Sequence, residues 1–275
     1  MRRRSLCVIV CVLGSALSTR CQDKVSPIIE ATKEIGVSFS PSLIAYREYN
    51  ASGTELDSEH GWISGGEVKA GVPFQLCGAG LLSEAIYQYD DGSSKHFSPA
   101  TGEYPAALIS NDMFVGIGPT FTPTPRFSWT PEADVEYREW HRGIPKAKYE
   151  VIEHYTFWAP GGGVRASYNP VGRLVVTVRA GLAHTVFPKN AGIGNPVGAV
   201  PNVTFSLGTR NVWQANFGAD YPIFQRLHAF AGIDYSHFGF GVSEFESGGP
   251  VYTPQQEPNS VTDLAKVNVG FAWFY

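Results

Sequence analysis

Asn268-Val269-Gly270-Phe271-Ala272-Trp273-Phe274-Tyr275 closes the sequence, and its alternation is that of a strand. Side chains of an extended backbone point to opposite faces in turn. Phe271, Trp273 and Tyr275 therefore share one face, and Asn268, Gly270 and Ala272 the other. Just upstream, Val267 and Val269 lengthen the apolar face while Lys266 lengthens the polar one. A face of aromatic rings needs an apolar neighbour, and a face carrying Lys and Asn needs water or polar partners.

The same period of two returns along the chain. Over 126–138, Phe127, Trp129, Ala133, Val135 and Tyr137 alternate with Ser128, Thr130, Glu132, Asp134, Glu136 and Arg138. Trp62, Val68, Ala70, Val72, Phe74 and Leu76 oppose Glu67, Lys69 and Gln75. Trp213, Ala215 and Phe217 oppose Arg210, Gln214 and Asn216, and Leu227, Ala229, Ala231, Ile233 and Tyr235 oppose Arg226, His228, Asp234 and Ser236. Such a polar face holds too much charge for the core of a soluble sandwich.

Segments of this kind fall near 36–47, 61–76, 80–90, 111–122, 126–138, 148–168, 172–184, 207–221, 226–238 and 261–275. They number ten; eight or twelve stay open, because the first and third are the least regular. Connections then alternate between short, near 77–79, 123–125, 169–171 and 222–225, and long, near 48–60, 91–110, 139–147, 185–206 and 239–260. Long and short connections alternating between an even number of strands are the pattern of a transmembrane barrel.

The amino end predicts export. Arg2, Arg3 and Arg4 precede an apolar run from Leu6 to Leu17 and a small-residue site at Ala16-Leu17-Ser18, so residues 1–18 are expected to be a cleaved signal peptide. Arg20 stands where a lipidation signal before Cys21 needs a small residue. Residues 19–35 are expected to form a periplasmic segment, with Ser26 as cap and Pro27 in the first turn of a short helix or an extended tail. Residues 36–275 then form a single β domain. No later stretch approaches the roughly 18 apolar residues of a membrane helix, so a chain of this type crosses a bilayer only as a closed barrel. With a formal charge of −4, 13% aromatic residues and 17% charged ones, nucleic acid is not an expected partner.

The closing octapeptide resembles the carboxyl-terminal strand of bacterial outer-membrane β-barrels: Asn268, then Gly270, then aromatics at Phe271, Trp273 and Tyr275, with Tyr where Phe is commoner. The resemblance implies an all-β, antiparallel up-and-down barrel of the small porin or opacity-protein type. It also implies recognition by the barrel-assembly machinery, and outer-membrane lipids and lipopolysaccharide around the wall. Trp129, Phe127, Phe217 and Tyr221 are expected at the periplasmic interface and Tyr137 and Tyr235 at the opposite one.

Parity directs Glu67, Glu84, Glu132, Asp134, Glu136, Glu150 and Asp234, together with Lys69, Arg138, Lys148, Arg179, Arg210, Arg226 and Lys266, into the lumen, seven of each sign. Ten strands enclose little more room than the eight-stranded barrels that side chains can fill, and balanced buried charges favour pairing. The expectation is a plugged lumen, with surface structure or adhesion through the loops, to an extracellular ligand or host surface, as the role. A small solute channel lined by Glu132, Asp134 and Glu136 is the alternative. Cys21 and Cys77 both fall on the periplasmic side and are candidates for a disulfide. The chain is expected to be a monomer without cofactor or metal.

Two families of barrel enzymes share features with the sequence. Ten strands resemble the omptin surface proteases, whose acidic pair finds a candidate in Asp90-Asp91, but His184 lacks a nearby Asp. Tyr235-Ser236-His237-Phe238-Gly239 resembles the lipid A deacylases, except that Gly239 takes the place of the nucleophilic serine and Ser243 is the nearest substitute. The expectation is therefore a protein that is not an enzyme.

Overall fold

The computed structural model describes residues 26–99, 102–146, 149–194, 203–246 and 255–275. The expected signal peptide, Cys21 and Lys148 lie outside these residues, as does the side chain of Glu150. A short helix, α1 (Pro27–Thr32), precedes β1 (Glu34–Phe39), β2 (Ser42–Tyr49), β3 (Glu55–Leu76), β4 (Ala79–Ser98), β5 (Gly102–Pro119), β6 (Phe121–Thr124) and β7 (Phe127–Lys146). There follow β8 (Tyr149–Tyr168), β9 (Val175–His184), β10 (Val186–Gly194), β11 (Val203–Ser206), β12 (Asn211–Phe224), β13 (Leu227–Phe240) and β14 (Asn259–Phe274).

These fourteen segments make one antiparallel sheet of ten passes, because four passes are each broken into two. β1 and β2 part at Ser40-Pro41, where proline has no N–H to give to the ladder. β5 and β6 part at Thr120, β9 and β10 at Thr185, and β11 and β12 over 207–210. The sheet closes on itself: β14 pairs with β1 from Glu34↔Phe274 to Phe39↔Val269 and with β2 from Ser42↔Lys266 to Tyr49↔Asn259, while β1 and β2 pair with β3 on their other side. Closure leaves no edge strand at this seam.

At one end the turns are tight. Cys77 and Gly78 join β3 to β4 with positive φ at both positions, 52° and 82°, as the twist of a two-residue hairpin requires. At the other end the expected long connections are largely strand. Of 91–110 only 99–101 lies between β4 and β5, and residues 139–146 and 186–194 are strand as well. The passes reach 20–22 residues in β3, β4, β7 and β8, whereas roughly 9–11 suffice to cross a bilayer. The wall thus continues well past the apolar band and forms an extended rim. Alternation fades there because the outward side chains meet water instead of lipid.

The outward band occupies the short-turn half. Val37, Phe39, Val72, Phe74, Val115, Ile117, Val164, Val178, Phe217, Ile233, Val269, Phe271 and Trp273 are all exposed large apolar side chains in one girdle. That is far beyond the few hundred Å² of contiguous apolar surface a soluble monomer leaves open. Among the described residues no helix is long and apolar enough to cross a membrane. The girdle is bordered by aromatics: Trp129 stacks on Phe121 at 4.7 Å near the short-turn end, and Tyr137 packs on Trp158 at 4.8 Å towards the rim.

Candidate functional site: the barrel lumen

Inward side chains fill the barrel in successive layers. At the short-turn mouth α1 lies across the opening, with Ile28 buried and Glu30 ion-paired to Arg173 of the β8–β9 turn. A cavity of about 520 Å³ separates the helix from the β3–β4 and β7 walls, lined by Ile28, Phe74, Leu82, Thr130 and Arg165. Just inside, Glu34 pairs with Lys69, whose ammonium also sits 3.6 Å from the centre of the Phe230 ring. His228 Nδ1 lies 2.6 Å from Asp220 Oδ1 in the same layer. Glu34, Asp220 and His228 are close enough to share a cation, and Glu34 is already paired with the Lys69 ammonium.

The next layer is cationic at its centre. Arg165 pairs with Glu84, and Arg179 pairs with Glu132 and, at 2.8 Å, with Asp134 while lying over the Phe114 ring. Above it, Arg138 pairs with Glu136, reaches Asp112 at 3.5 Å and donates to Ser236 Oγ at 3.2 Å across the barrel. Lys266 holds Asp112 from the opposite wall at 2.8 Å. Small adjoining cavities of about 150 and about 100 Å³ lie among these layers. Both have room for a few waters, and they share Glu67, Phe114, Arg179 and Asp234 in their lining.

An apolar layer follows. Ile44, Ile63, Leu108, Trp140, Phe157, Phe238, Phe240 and Leu264 form one buried cluster inside the barrel. Trp140 meets Phe238 edge-on at 5.3 Å, and Phe157 meets Phe240 likewise at 5.3 Å. Arg138 caps this layer from below, its guanidinium 4.4 Å from the Phe238 ring.

The rim is tied by a second arginine. Arg142 Nε donates to Glu59 at 2.6 Å, its Nη1 lies 3.0 Å from Glu153 and 3.3 Å from Glu48, and its Nη2 lies 3.0 Å from His96 Nδ1. These partners come from β2, β3, β4 and β8, so one buried guanidinium joins four stretches of wall. Glu257, on the connection before β14, turns inward and accepts from Tyr155 at 2.5 Å and Asn190 at 3.0 Å. Burial, reinforced by the Glu48 carboxylate, pushes the Glu257 carboxyl above its ordinary range.

Of the fourteen expected lumen charges, Glu67, Lys69, Glu84, Glu132, Asp134, Glu136, Arg138, Arg179, Asp234 and Lys266 do face inward, and Asp234 is held by Asn216 and Asn268. Two do not. Arg210 is exposed and donates to Asn259, and Arg226 sits exposed in the β12–β13 turn, where the alternation has ended. Missed by parity were Glu34, Asp112, Arg165 and the Arg142 cluster. Glu136, Glu132 and Asp134 are each paired with an arginine.

The hydrolase arrangements are not assembled. Asp90 and Asp91 lie within β4, not at its top, and adjacent strand positions face opposite ways: Asp90 is buried on Gln88, at 2.7 Å, while Asp91 is exposed. His184 faces outward onto Asn211 at 3.0 Å. His237 also faces outward and does have a carboxylate, Asp263 at 2.8 Å, which accepts from Tyr235 as well. At Gly239 a side chain would run into the Ser260 carbonyl, and Ser243 is buried, donating to Glu244 O at 2.7 Å. Cys77 is exposed, and its expected partner, Cys21, lies outside the described residues.

No protein-family model and no curated protein matches the sequence. Among solved structures, the outer membrane protease OmpT from Escherichia coli aligns over 89% of this chain and 97% of its own, at 10% identity and a TM-score of 0.59. The translocator domain of autotransporter NalP from Neisseria meningitidis aligns over 88% of each chain at 12% identity and a TM-score of 0.43. Neisserial surface protein A aligns over 88% of this chain and 97% of its own at 7% identity and a TM-score of 0.34. Together with the closed sheet and its apolar girdle, the first of these defines the class: the chain has the fold of an outer-membrane β-barrel.

Proposed function

We propose that the protein is a sealed surface barrel of the outer membrane, whose work is done at the extended rim in surface structure or adhesion and not through the lumen. The observation that carries this reading is the pair of spanning arginines, Arg138 and Arg142, set below and above a layer of packed aromatics. Unpaired charges buried in so narrow a space are costly, whereas here each arginine is held by two or three carboxylates. Tight turns and both ends of the barrel domain then face the periplasm, and the rim faces outward.

Partners follow from the two surfaces. The girdle meets outer-membrane lipids and lipopolysaccharide, and the outward Phe271, Trp273 and Tyr275 are the signal to the assembly machinery. An extracellular ligand or host surface meets the rim. No cofactor is required for such a role, and a closed barrel acts as a monomer. A solute-uptake assay tests this reading: proteoliposomes holding the folded protein are expected to swell in small sugars and amino acids no faster than protein-free vesicles. Faster swelling would establish the channel alternative. Exchange of the 50–54 and 241–258 connections is then expected to abolish binding of expressing cells to their target surface while leaving the barrel folded.

A further inference from the structure

On the outer wall, above the aromatic row of Tyr137 and Trp158, two histidines stand directly opposite each other on neighbouring strands. His141 of β7 is the cross-strand partner of His154 of β8, and their rings stack at 4.1 Å with 13° between planes. Both Nε2 atoms point at one oxygen, Oε1 of Glu139, at 2.9 Å and 2.8 Å. The three side chains are 40%, 30% and 27% exposed, so an ion from solution can reach them. Strand geometry sets this up: Glu139 and His141 are two residues apart on one face of β7, and register brings His154 alongside.

We propose that Glu139, His141 and His154 form a binding site for a divalent late first-row transition ion of the zinc type. Two imidazoles and one carboxylate are a frequent three-ligand zinc set, leaving a fourth position to water. Tetrahedral bonds of about 2.0–2.1 Å put donor atoms roughly 3.3 Å apart. The observed 2.8–2.9 Å separations need the carboxylate to withdraw by a few tenths of an ångström, and the two rings, now 13° from parallel, to tilt about their side-chain torsions until both Nε2 lone pairs meet the ion. Ion entry replaces two N–H donors sharing one acceptor by two ring lone pairs on a cation. Facing the triad from the adjoining strands are Ile109 and Asn111 of β5 and Lys189 and Ala191 of β10; of these Lys189 alone is charged, and it lies opposite Thr156. The site joins β7 to β8 where the wall begins to rise above the apolar girdle.

The test is a Zn2+ titration of the folded protein in detergent, purified without a polyhistidine tag and followed by competition with Co2+, whose visible absorption reports nitrogen and oxygen coordination. One Zn2+ per chain is expected. Substitutions His141→Asn and His154→Asn are each expected to weaken it by more than the roughly 10–100-fold that outer-shell partners contribute. Glu139→Gln weakens it less, and the double histidine variant abolishes it. His184→Asn and His237→Asn, at other outward histidines, leave it unchanged. Absence of saturable binding, or binding that persists in the double variant with its heat-modifiable mobility intact, would overturn the proposal.

Discussion

Replacing Arg142 by methionine will lower the stability of the folded barrel by about 3–5 kcal/mol, the usual effect of removing one partner from a buried ionic cluster. The arginine is 2% exposed and stands among Glu48, Glu59 and Glu153, with Glu59 itself 1% exposed. Without it three carboxylates remain in a space water barely enters, and each must take up a proton or draw water into the rim. Urea unfolding in detergent or lipid, read by tryptophan fluorescence, measures the loss. Adding Glu59→Leu to Arg142→Met is expected to recover part of it, since an apolar replacement leaves no charge stranded there. A single variant as stable as the native protein would mean that the rim cluster is not closed as described.

Gly270→Ala will impair closure of the barrel. A β-carbon at residue 270 would strike the Val37 carbonyl and stand 2.7 Å from Ser38 Cα, both of them backbone, so no side chain can turn aside. β14 and β1 are the last and first passes, and this contact lies on the seam between them. Overpacking of this kind costs about 1–3 kcal/mol, and at the seam it acts on the step that makes the barrel. The expected result is a large fall in the heat-modifiable, folded fraction after refolding. Gly218→Ala is the control: its β-carbon would meet nothing nearer than the Ala231 carbonyl at 3.8 Å, and folding should be little changed.

Gly270 also illustrates what the sequence disclosed and what it withheld. The period of two in 266–275 places the strand and its lipid face, and Phe271, Trp273 and Tyr275 are indeed exposed on the outside. The glycine stands out as part of a familiar pattern, but its reason, a backbone 233 residues away in sequence, appears only once Val37 is seen beside it. The membrane half was legible throughout because lipid outside and polar groups inside impose opposite demands on neighbouring residues.

Above the girdle that contrast disappears. Residues 91–110 carry Gly92, Ser93, Ser94 and Pro105 and read as a loop, although they pair in register from Asp91↔Ile109 to Ser98↔Gly102. There the preference inverts: Leu108, Trp140, Phe157 and Phe238 point inward, so a rule that sends apolar residues to the outside misses the aromatic layer. Charge partners were hidden for another reason. Arg142 and Glu59 are 83 residues apart, and nothing local marks them as a pair. The outward histidines were scattered in the sequence, with His141 and His154 separated by the whole β7–β8 hairpin, and only register unites them.

Single-channel conductance of the folded protein in a planar bilayer, across a range of salt and voltage, tests the sealed lumen most directly. Silence is expected from protein shown to be inserted, with Arg138→Ser in the lumen-spanning layer giving the first discrete openings. Reproducible open steps from the unmodified chain, with ion selectivity altered by replacing Glu132, Asp134 and Glu136, would contradict the account and make the barrel a channel.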